Sequence, residues 1–225
     1  MKCLVLLFSL AFCNAYTQQV HSIDTSYANL YYQEKIKEFQ NEVSKPNAIV
    51  FIGNSITEVG PWENISAQYP IVNRGISGDN TFGVYHRLQN IIDLKPNMIF
   101  IMIGVNDIKR GTPLDLIIRN HHRIIKTLQK GVPETKIVLQ SILPVNETML
   151  ANIYSRINNK VIDKLNKVLE SIARAYDIDY LDLNQHFLKR NSEMPEYFTT
   201  DGLHLTNQGY AHWVDFLTEN KFLNK

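Results

Sequence analysis

Residues 51–58, with the sequence FIGNSITE, decide the fold class that we expect. An apolar run ends in Gly53-Asn54-Ser55, and a helix is predicted to begin directly after it. A strand that leads at once into a helix is the repeating unit of an α/β protein. Ser55 has two possible roles at this junction. It is either the N-cap of the helix or a nucleophile held at the end of a strand, and this stretch alone does not decide between them.

The rest of the chain repeats the alternation of strand and helix. Hydrophobic patterning predicts strands at residues 48–52, 71–73, 98–103, 136–143 and 178–183. It predicts helices at residues 27–43, 81–92, 113–131, 150–175 and 207–219, with Thr112 as the cap of the third. The run at residues 98–103 has no polar alternation, which is typical of a strand covered on both faces. We therefore predict a parallel sheet with helices on both sides, formed by one domain at residues 46–225 after a helical lead-in at residues 16–45.

The N-terminus has the pattern of a secretory signal peptide at residues 1–15. Lys2 precedes an apolar run, and Ala15 supplies the small residue at which cleavage is expected. This predicts a secreted or periplasmic protein. A membrane anchor is the first alternative, but the run is shorter than the roughly 20 residues of a spanning helix. A lipoprotein cleaved before Cys13 is the second, and bulky Phe12 disfavours it.

Composition excludes several classes of function. The chain has 23 basic and 22 acidic residues, and cleavage after Ala15 would remove one basic residue, Lys2, which leaves 22 of each. Such a balance does not favour nucleic acid as a partner. The two cysteines, Cys3 and Cys13, both lie in the predicted signal peptide. A mature chain without cysteine excludes thiolate catalysis and thiolate metal sites.

Four polar stretches are predicted to meet at the carboxyl edge of the sheet, where open α/β sheets carry their sites. They are Ser55 itself, NRGISGDNT at residues 73–81, GVND at 104–107, and DGLH at 201–204.

These stretches contain the groups that hydrolysis of an ester requires. Ser55 can be the nucleophile, His204 its base, and Asp201 the carboxylate that orients the imidazole. The N–H groups of Ser55 and Gly78, with the amide of Asn106, can form an oxyanion hole. By spacing, Asp201 and His204 could also bind a metal, but two ligands are too few for a closed site.

In this order the four stretches resemble the blocks of the SGNH (GDSL-type) hydrolases, named for Ser, Gly, Asn and His. The layout is most similar to the branch with platelet-activating-factor acetylhydrolase subunits and bacterial carbohydrate O-acetylesterases. The resemblance implies a flavodoxin-like, three-layer α/β/α sandwich and a triad that needs no metal or other cofactor. One departure is Asn54, where the family usually has Asp. Thr57 stands where the second glycine of a G-x-S-x-G elbow would be, which argues against the larger α/β-hydrolase class.

The expected function is therefore that of an exported serine esterase. We expect it to remove short acyl groups, acetyl foremost, from a small-molecule or glycan ester, with a carbohydrate ester as the first expectation. The first alternative is a lysophospholipase or other lipid-type esterase, which the absence of a long apolar insertion disfavours. The second alternative is a non-catalytic binding module that keeps the SGNH fold.

Three further interpretations concern single side chains. Arg74 is expected either to stay exposed near the site or to form a local salt bridge. His121 falls on the apolar stripe of its helix and is expected to be packed, with His122 pointing outward. Trp62 and Tyr69 either line a pocket or belong to the core, and the core is the more common place for an aromatic side chain.

Overall fold

The protein is described by a computed structural model covering residues 24–43, 45–63, 65–188 and 193–223. The predicted signal peptide and both cysteines lie outside these residues. Within them the sheet has five strands, and every strand pairing is parallel. The strands are β1 Ile49–Gly53, β2 Ile71–Gly75, β3 Met98–Met102, β4 Lys136–Gln140 and β5 Asp179–Leu181. Their order, β2-β1-β3-β4-β5, is that of a flavodoxin-like sheet and confirms the predicted fold class.

Helices connect and cover these strands. They are α1 Leu30–Asn41, α2 Ser55–Glu58, α3 Thr81–His86, α4 Leu88–Ile92, α5 Val105–Arg110, α6 Leu114–Gly131, α7 Asn159–Ala175, α8 Leu183–Phe187 and α9 Asn207–Glu219. Two 3₁₀ turns, Asn152–Tyr154 and Glu196–Phe198, lie in the longer loops. The described residues contain no helix that combines the length and the apolar character needed to cross a bilayer.

Strand β2 is longer than predicted because a buried arginine continues it. The prediction ended this strand at residue 73, yet β2 extends through Gly75. The Arg74 side chain is 1% exposed, its guanidinium is 2.6 Å from the Glu42 carboxylate, and it lies over the ring of Phe39. Of the two interpretations of Arg74, the salt bridge is correct, but its partner lies on a segment 32 residues earlier in the chain.

Helix α7 is shorter than predicted because an asparagine cap fixes its start. The prediction placed a helix over residues 150–175, but only the part from Asn159 is α-helical. The Asn158 side chain accepts a hydrogen bond from the Val161 N–H, which satisfies one of the free donors of the first turn. Residues 150–157 therefore form an irregular loop, in which Ile157 is buried and Ile153 is 67% exposed.

The helix predicted at residues 81–92 is divided at Arg87 into α3 and α4. Arg87 leaves the helical conformation, with φ −107° and ψ 11°. Its guanidinium is drawn into the core, where Nε donates to Asp79 at 2.8 Å and another nitrogen donates to the Gly53 carbonyl at 3.1 Å. The buried ion pair therefore decides where the helix breaks.

Several predicted ends shift by a few residues. Helix α6 begins at Leu114, and Pro113 occupies the cap position predicted for Thr112. Strand β4 ends at Gln140 and not at residue 143, and the Ile142 N–H instead donates to the Asn166 side chain. Helices α5 and α8 follow their strands so closely that the sequence pattern did not separate them.

Aromatic packing beneath the sheet edge supports the turn that carries Ser55. The rings of Phe51 and Phe100, on neighbouring strands, stack 4.8 Å apart, and Trp62 stacks on Phe51 at 4.3 Å. Trp213 of α9 meets Trp62 edge-on. The Trp62 indole N–H donates to the Thr57 carbonyl at 2.6 Å, so Trp62 is a core residue that also anchors α2.

Candidate active site

The turn after β1 presents Ser55 at the sheet edge. Asn54 is buried, and its side-chain oxygen accepts a hydrogen bond from the Ile56 N–H at 3.0 Å. Asn54 is therefore the N-cap of α2, and Ser55 is the first residue of that helix. The interpretation of Ser55 as the cap is wrong, because its neighbour performs that task. The Ser55 hydroxyl instead faces His204.

A hydrogen-bonded chain joins Ser55, His204 and Asp201. Ser55 Oγ lies 3.0 Å from His204 Nε2, and His204 Nδ1 lies 2.7 Å from Asp201 Oδ2. The other carboxylate oxygen of Asp201 accepts from the backbone N–H groups of Leu203 and His204, at 2.9 and 2.7 Å. Partial burial acts to raise the pKa of Asp201, but hydrogen bonds from His204 and Leu203 outweigh it and hold this pKa below its ordinary value. A carboxylate at Oδ2 favours the tautomer with a proton on Nδ1, which leaves Nε2 free to accept from Ser55.

The loop that carries Asp201 and His204 is fixed by its backbone. The His204 carbonyl accepts from the Thr200 N–H at 2.9 Å and from the Thr199 hydroxyl at 2.8 Å. The Asn146 N–H donates to the Gly202 carbonyl at 2.9 Å. Gly202 has φ +90°, and a Cβ there would come within 2.5 Å of the Asn146 oxygen, so this turn requires glycine. The imidazole is therefore held by a loop with little freedom to move.

The predicted oxyanion donors lie on three neighbouring stretches of the sheet edge. Ser55 opens a helix, so its N–H has no partner one turn earlier. The Gly78 N–H has no hydrogen-bond partner among the described residues. The Asn106 amide donates one N–H to the Asp79 carbonyl at 2.9 Å, which leaves its second N–H available. Each residue can thus offer a donor to an oxygen that enters the site.

A buried polar network lies behind these donors. Asp79 is 1% exposed and forms the ion pair with Arg87 described above. Asp107 accepts from the Thr81 N–H at 3.0 Å and from the Thr81 hydroxyl at 2.6 Å. Desolvation raises the pKa of Asp107 to about 7, because the Thr81 hydrogen bonds only partly offset the loss of water. Burial raises the pKa of Asp79 as well, against the opposing effect of Arg87.

Other residues singled out in the sequence lie away from this chain. His121 is fully buried in α6, as predicted, and desolvation lowers its pKa to about 4. His122 is half-buried, with Nδ1 3.1 Å from the Tyr176 hydroxyl, so it points outward only in part. Tyr69 is half-buried and packs against the core. The described residues contain no group of three or more histidine, cysteine or acidic side chains arranged to hold a metal.

Sequence reasoning missed two charged residues that contact the Gly78 loop. Glu58 is one helical turn after Ser55, and its carboxylate accepts from the N–H and hydroxyl of Ser77 at 2.6 and 2.5 Å. Arg110 donates to the Gly78 carbonyl at 2.8 Å. Glu58 is the last residue of the FIGNSITE stretch at residues 51–58, but its partner Ser77 is 19 residues away, and no local pattern indicates that pairing.

Comparison with known proteins agrees with this fold. An α/β sandwich with a serine, an imidazole and a carboxylate in contact at its sheet edge has the composition of a carboxylic ester hydrolase site. The GDSL-like lipase/acylhydrolase family model matches residues 51–212. The chain belongs to this family and is a carboxylic ester hydrolase.

Individual relatives give the same result. The chain is 27% identical over 169 residues to the platelet-activating factor acetylhydrolase IB subunit alpha2 of Rattus norvegicus, covering 72% of this chain and 71% of the relative. A structure from Streptococcus pneumonia, described as a candidate platelet activating factor, is 30% identical with a TM-score of 0.74, covering 84% of this chain and 90% of that one. A GDSL-like lipase from Bacteroides thetaiotaomicron, 24% identical, shares the fold with a TM-score of 0.72, covering 85% and 98%.

Proposed function

We propose that the protein is an exported serine esterase that removes short acyl groups, acetyl foremost, from a carbohydrate ester. One observation carries the catalytic part of the proposal: the hydrogen-bonded chain from Asp201 through His204 to Ser55. In this proposal Ser55 Oγ attacks the ester carbonyl while His204 Nε2 takes its proton. Asp201 stabilises the resulting imidazolium.

The same groups complete the reaction. The tetrahedral oxyanion accepts hydrogen bonds from the Ser55 and Gly78 N–H groups and from the Asn106 amide. His204 then donates its proton to the leaving alkoxide, which leaves as an alcohol, and an acyl group remains on Ser55. Water attacks this acyl-enzyme, His204 accepts the proton of the water, and the acid is released with free Ser55.

The cavity beside the Ser55 turn is too small for a long acyl chain. It is lined by residues that neighbour the catalytic ones in sequence, among them Ile56, Val105 and Leu203, and its volume of about 10 Å³ is the space of roughly one water molecule. Because it offers no room for a long acyl chain, it supports a short acyl group.

An aromatic side chain near the site supports a carbohydrate leaving group. Tyr154 is half-buried, and the Lys109 ammonium lies 4.6 Å from the centre of its ring. Burial, and then the nearby charge of Asp201, raise the pKa of Tyr154, so its hydroxyl lies within electrostatic range of Asp201. Flat amphipathic rings with polar neighbours suit the faces and hydroxyls of sugars. The signal-like pattern at residues 1–15 supports export to where such glycans are found.

A phospholipid acetyl ester is the second candidate substrate. This candidate is favoured by the relatives named as platelet-activating factor acetylhydrolase subunits. Both candidate substrates carry an acetyl group, and they differ only in the leaving alcohol.

A substrate series tests the proposal. Hydrolysis of p-nitrophenyl acetate, butyrate and octanoate should show kcat/KM falling roughly tenfold or more from acetate to octanoate. Equal or faster octanoate hydrolysis would contradict the short-acyl assignment. Acetate release from acetylated oligosaccharides should exceed release from a 2-acetyl phospholipid at equal concentration. The reverse order would favour the lipid. Ser55→Ala should be inactive throughout the series.

A further inference from the structure

The peptide bond between Ser77 and Gly78 carries the Gly78 N–H and is the centre of a tight turn. The Asp79 N–H donates to the Ile76 carbonyl at 3.0 Å, so Ser77 and Gly78 are the two central residues. Gly78 has φ +79°, the value of the third residue of a type II turn. Type I and type II turns differ mainly by a flip of this central peptide. The turn type therefore decides which way the Gly78 N–H points.

Neighbouring peptide groups are held on both sides of this bond. Before it, the Ser77 N–H and hydroxyl both donate to one carboxylate oxygen of Glu58, at 2.6 and 2.5 Å. After it, the Gly78 carbonyl accepts from Arg110 at 2.8 Å. The Gly78 N–H between them has no partner among the described residues. The loop thus fixes the surroundings of a donor that remains free for a ligand.

Helix α1 holds Glu58 from the opposite side. The second carboxylate oxygen of Glu58 accepts from the Tyr31 hydroxyl at 2.5 Å and lies 3.3 Å from the Lys35 ammonium. The Glu58 side chain is only 12% exposed, so its four donors largely replace water. Burial acts to raise the pKa of Glu58, but the hydrogen bonds from Ser77, Tyr31 and Lys35 together lower it. Glu58 therefore stays a carboxylate and an acceptor at neutral pH.

From this geometry we infer that Glu58 is a positioning residue of the esterase site. It connects the helix that begins with Ser55 to the turn that carries Gly78, and it holds the Gly78 N–H toward the oxyanion. Tyr31 and Lys35 hold Glu58 in that orientation. The inference rests on the proposed function, because it assigns Glu58 to the oxyanion hole of that same site.

The decisive variant is Glu58→Gln, which keeps the shape of the side chain but removes its charge. An amide cannot accept from Ser77 with one end and from Lys35 with the other, because one end is itself a donor. Glu38→Gln is the matched control. Glu38 also pairs with Lys35, at 2.9 Å, but its side chain is 61% exposed, and among the described residues it makes no hydrogen bond with Ser77.

The experiment measures kcat and KM on p-nitrophenyl acetate, with binding of phenylboronic acid as a mimic of the tetrahedral oxyanion. We expect Glu58→Gln to lower kcat about 10- to 100-fold with KM within about twofold, and boronate affinity to fall in parallel. Glu38→Gln should stay within about twofold of wild type. Ser77→Ala removes the hydroxyl, one of the four donors to Glu58, and should lower kcat by a smaller factor than Glu58→Gln. It keeps the inference testable if Glu58→Gln does not fold.

A second measurement follows the Gly78 amide directly by NMR. The chain has 10 glycines, so ¹⁵N-glycine labelling gives a simple amide spectrum. The Gly78 signal should shift in Glu58→Gln and keep its position in Glu38→Gln. A kcat loss no larger than in the control, a change confined to KM, or an unmoved Gly78 signal would overturn the positioning role.

Failure of the proposed function would look different. If wild type is active and Ser55→Ala is not, but Glu58→Gln equals the control, only the role of Glu58 is wrong. If wild type hydrolyses no ester, or Ser55→Ala retains activity, the proposed function is wrong and the role of Glu58 falls with it.

Discussion

The two oxygens of the Asp201 carboxylate have different partners, the His204 imidazole and the backbone of the loop at residues 201–204. One oxygen meets His204 Nδ1 at 2.7 Å, and the other accepts from the Leu203 and His204 N–H groups. In Asp201→Asn the remaining oxygen can still accept from the loop, but the amide would point a donor at Nδ1 and favour the wrong tautomer. We expect kcat to fall by roughly 10²- to 10⁴-fold with little change in melting temperature. Turnover close to wild type would mean that Asp201 does not orient the base.

Asn106 offers a second test at the level of one side chain. Its amide donates one N–H to the Asp79 carbonyl, and its second N–H is available to a ligand. Asn106→Ala should lower kcat roughly 10²- to 10³-fold while KM changes little, because an oxyanion donor acts mainly in the transition state. Steady-state kinetics on p-nitrophenyl acetate measures both constants. An effect on KM alone would instead assign Asn106 to substrate binding.

Single residues near Ser55 were predictable to different degrees. The order and spacing of four polar stretches indicated Ser55, Gly78, Asn106, Asp201 and His204, and the structure brings His204 into contact with both Ser55 and Asp201. The cap role of Asn54 was not predicted, since Ser and Asn are equally good caps and only the geometry separates them. Glu58 was missed because its partners come from residues 31, 35 and 77.

At the scale of elements, helix α1 is attached by a small core of its own. Phe39 is 7% exposed in this core, and the Arg74 guanidinium lies 4.4 Å from the centre of its ring. Phe39→Ala should loosen α1 and make it sensitive to limited proteolysis, at a cost of about 3 kcal/mol or less where the helix can relax. If α1 holds Glu58, kcat should fall as well.

Leu30→Ala is the matched control for this experiment, because Leu30 lies in the same helix but is 77% exposed. It should leave proteolysis and kcat unchanged. Equal protection of α1 in both variants would show that Phe39 does not anchor the helix.

Elements buried on both faces were the easiest to predict. Strands β1 and β3 are continuous apolar runs, every residue of which is buried, so their composition alone indicates their place. The end of β2 was not predicted because Arg74 is charged, and its partner Glu42, directly after α1, lies 32 residues earlier in the chain. The start of α7 could have been found from Asn158, whose cap explains why the apolar residues before it are not helical.

At the scale of the whole molecule, buried carboxyl groups should make stability depend on pH. Asp107 has a pKa raised to about 7 from an ordinary 3.8, so the folded state favours its protonated form. Its contribution to stability is fully present below the ordinary value and is lost as pH rises toward 7. The Asp107→Asn variant has no carboxyl group at this position, so it does not lose this stability as pH rises. The melting temperature of the variant minus that of wild type should therefore increase from pH 5 to pH 8.

Asp115→Asn provides the control, because it removes a carboxylate whose side chain is 59% exposed on α6. Its melting difference from wild type should be nearly constant over the same range. A constant difference for Asp107→Asn as well would contradict the assignment of a raised pKa to Asp107.

The arrangement of the sheet was predictable because strands and helices alternate along the sequence. The contacts of buried charged side chains were less predictable. The parallel sheet follows from strands that alternate with helices. The Asp79–Arg87 pair and the contact of Asp107 with Thr81 connect segments 8 and 26 residues apart. Such pairs obey no periodicity, because each depends on how the finished fold excludes water.

The most direct test of the account is covalent labelling of Ser55. A fluorophosphonate probe should attach once per chain, at Ser55, with loss of ester hydrolysis at the same rate as labelling. Ser55→Ala should take up no probe, hydrolyse no ester and melt at about the wild-type temperature, because only one half-buried hydroxyl is lost. Peptide mapping by mass spectrometry identifies the modified residue. Labelling of a different serine, or turnover in Ser55→Ala, would contradict the central claim that Ser55 is the nucleophile.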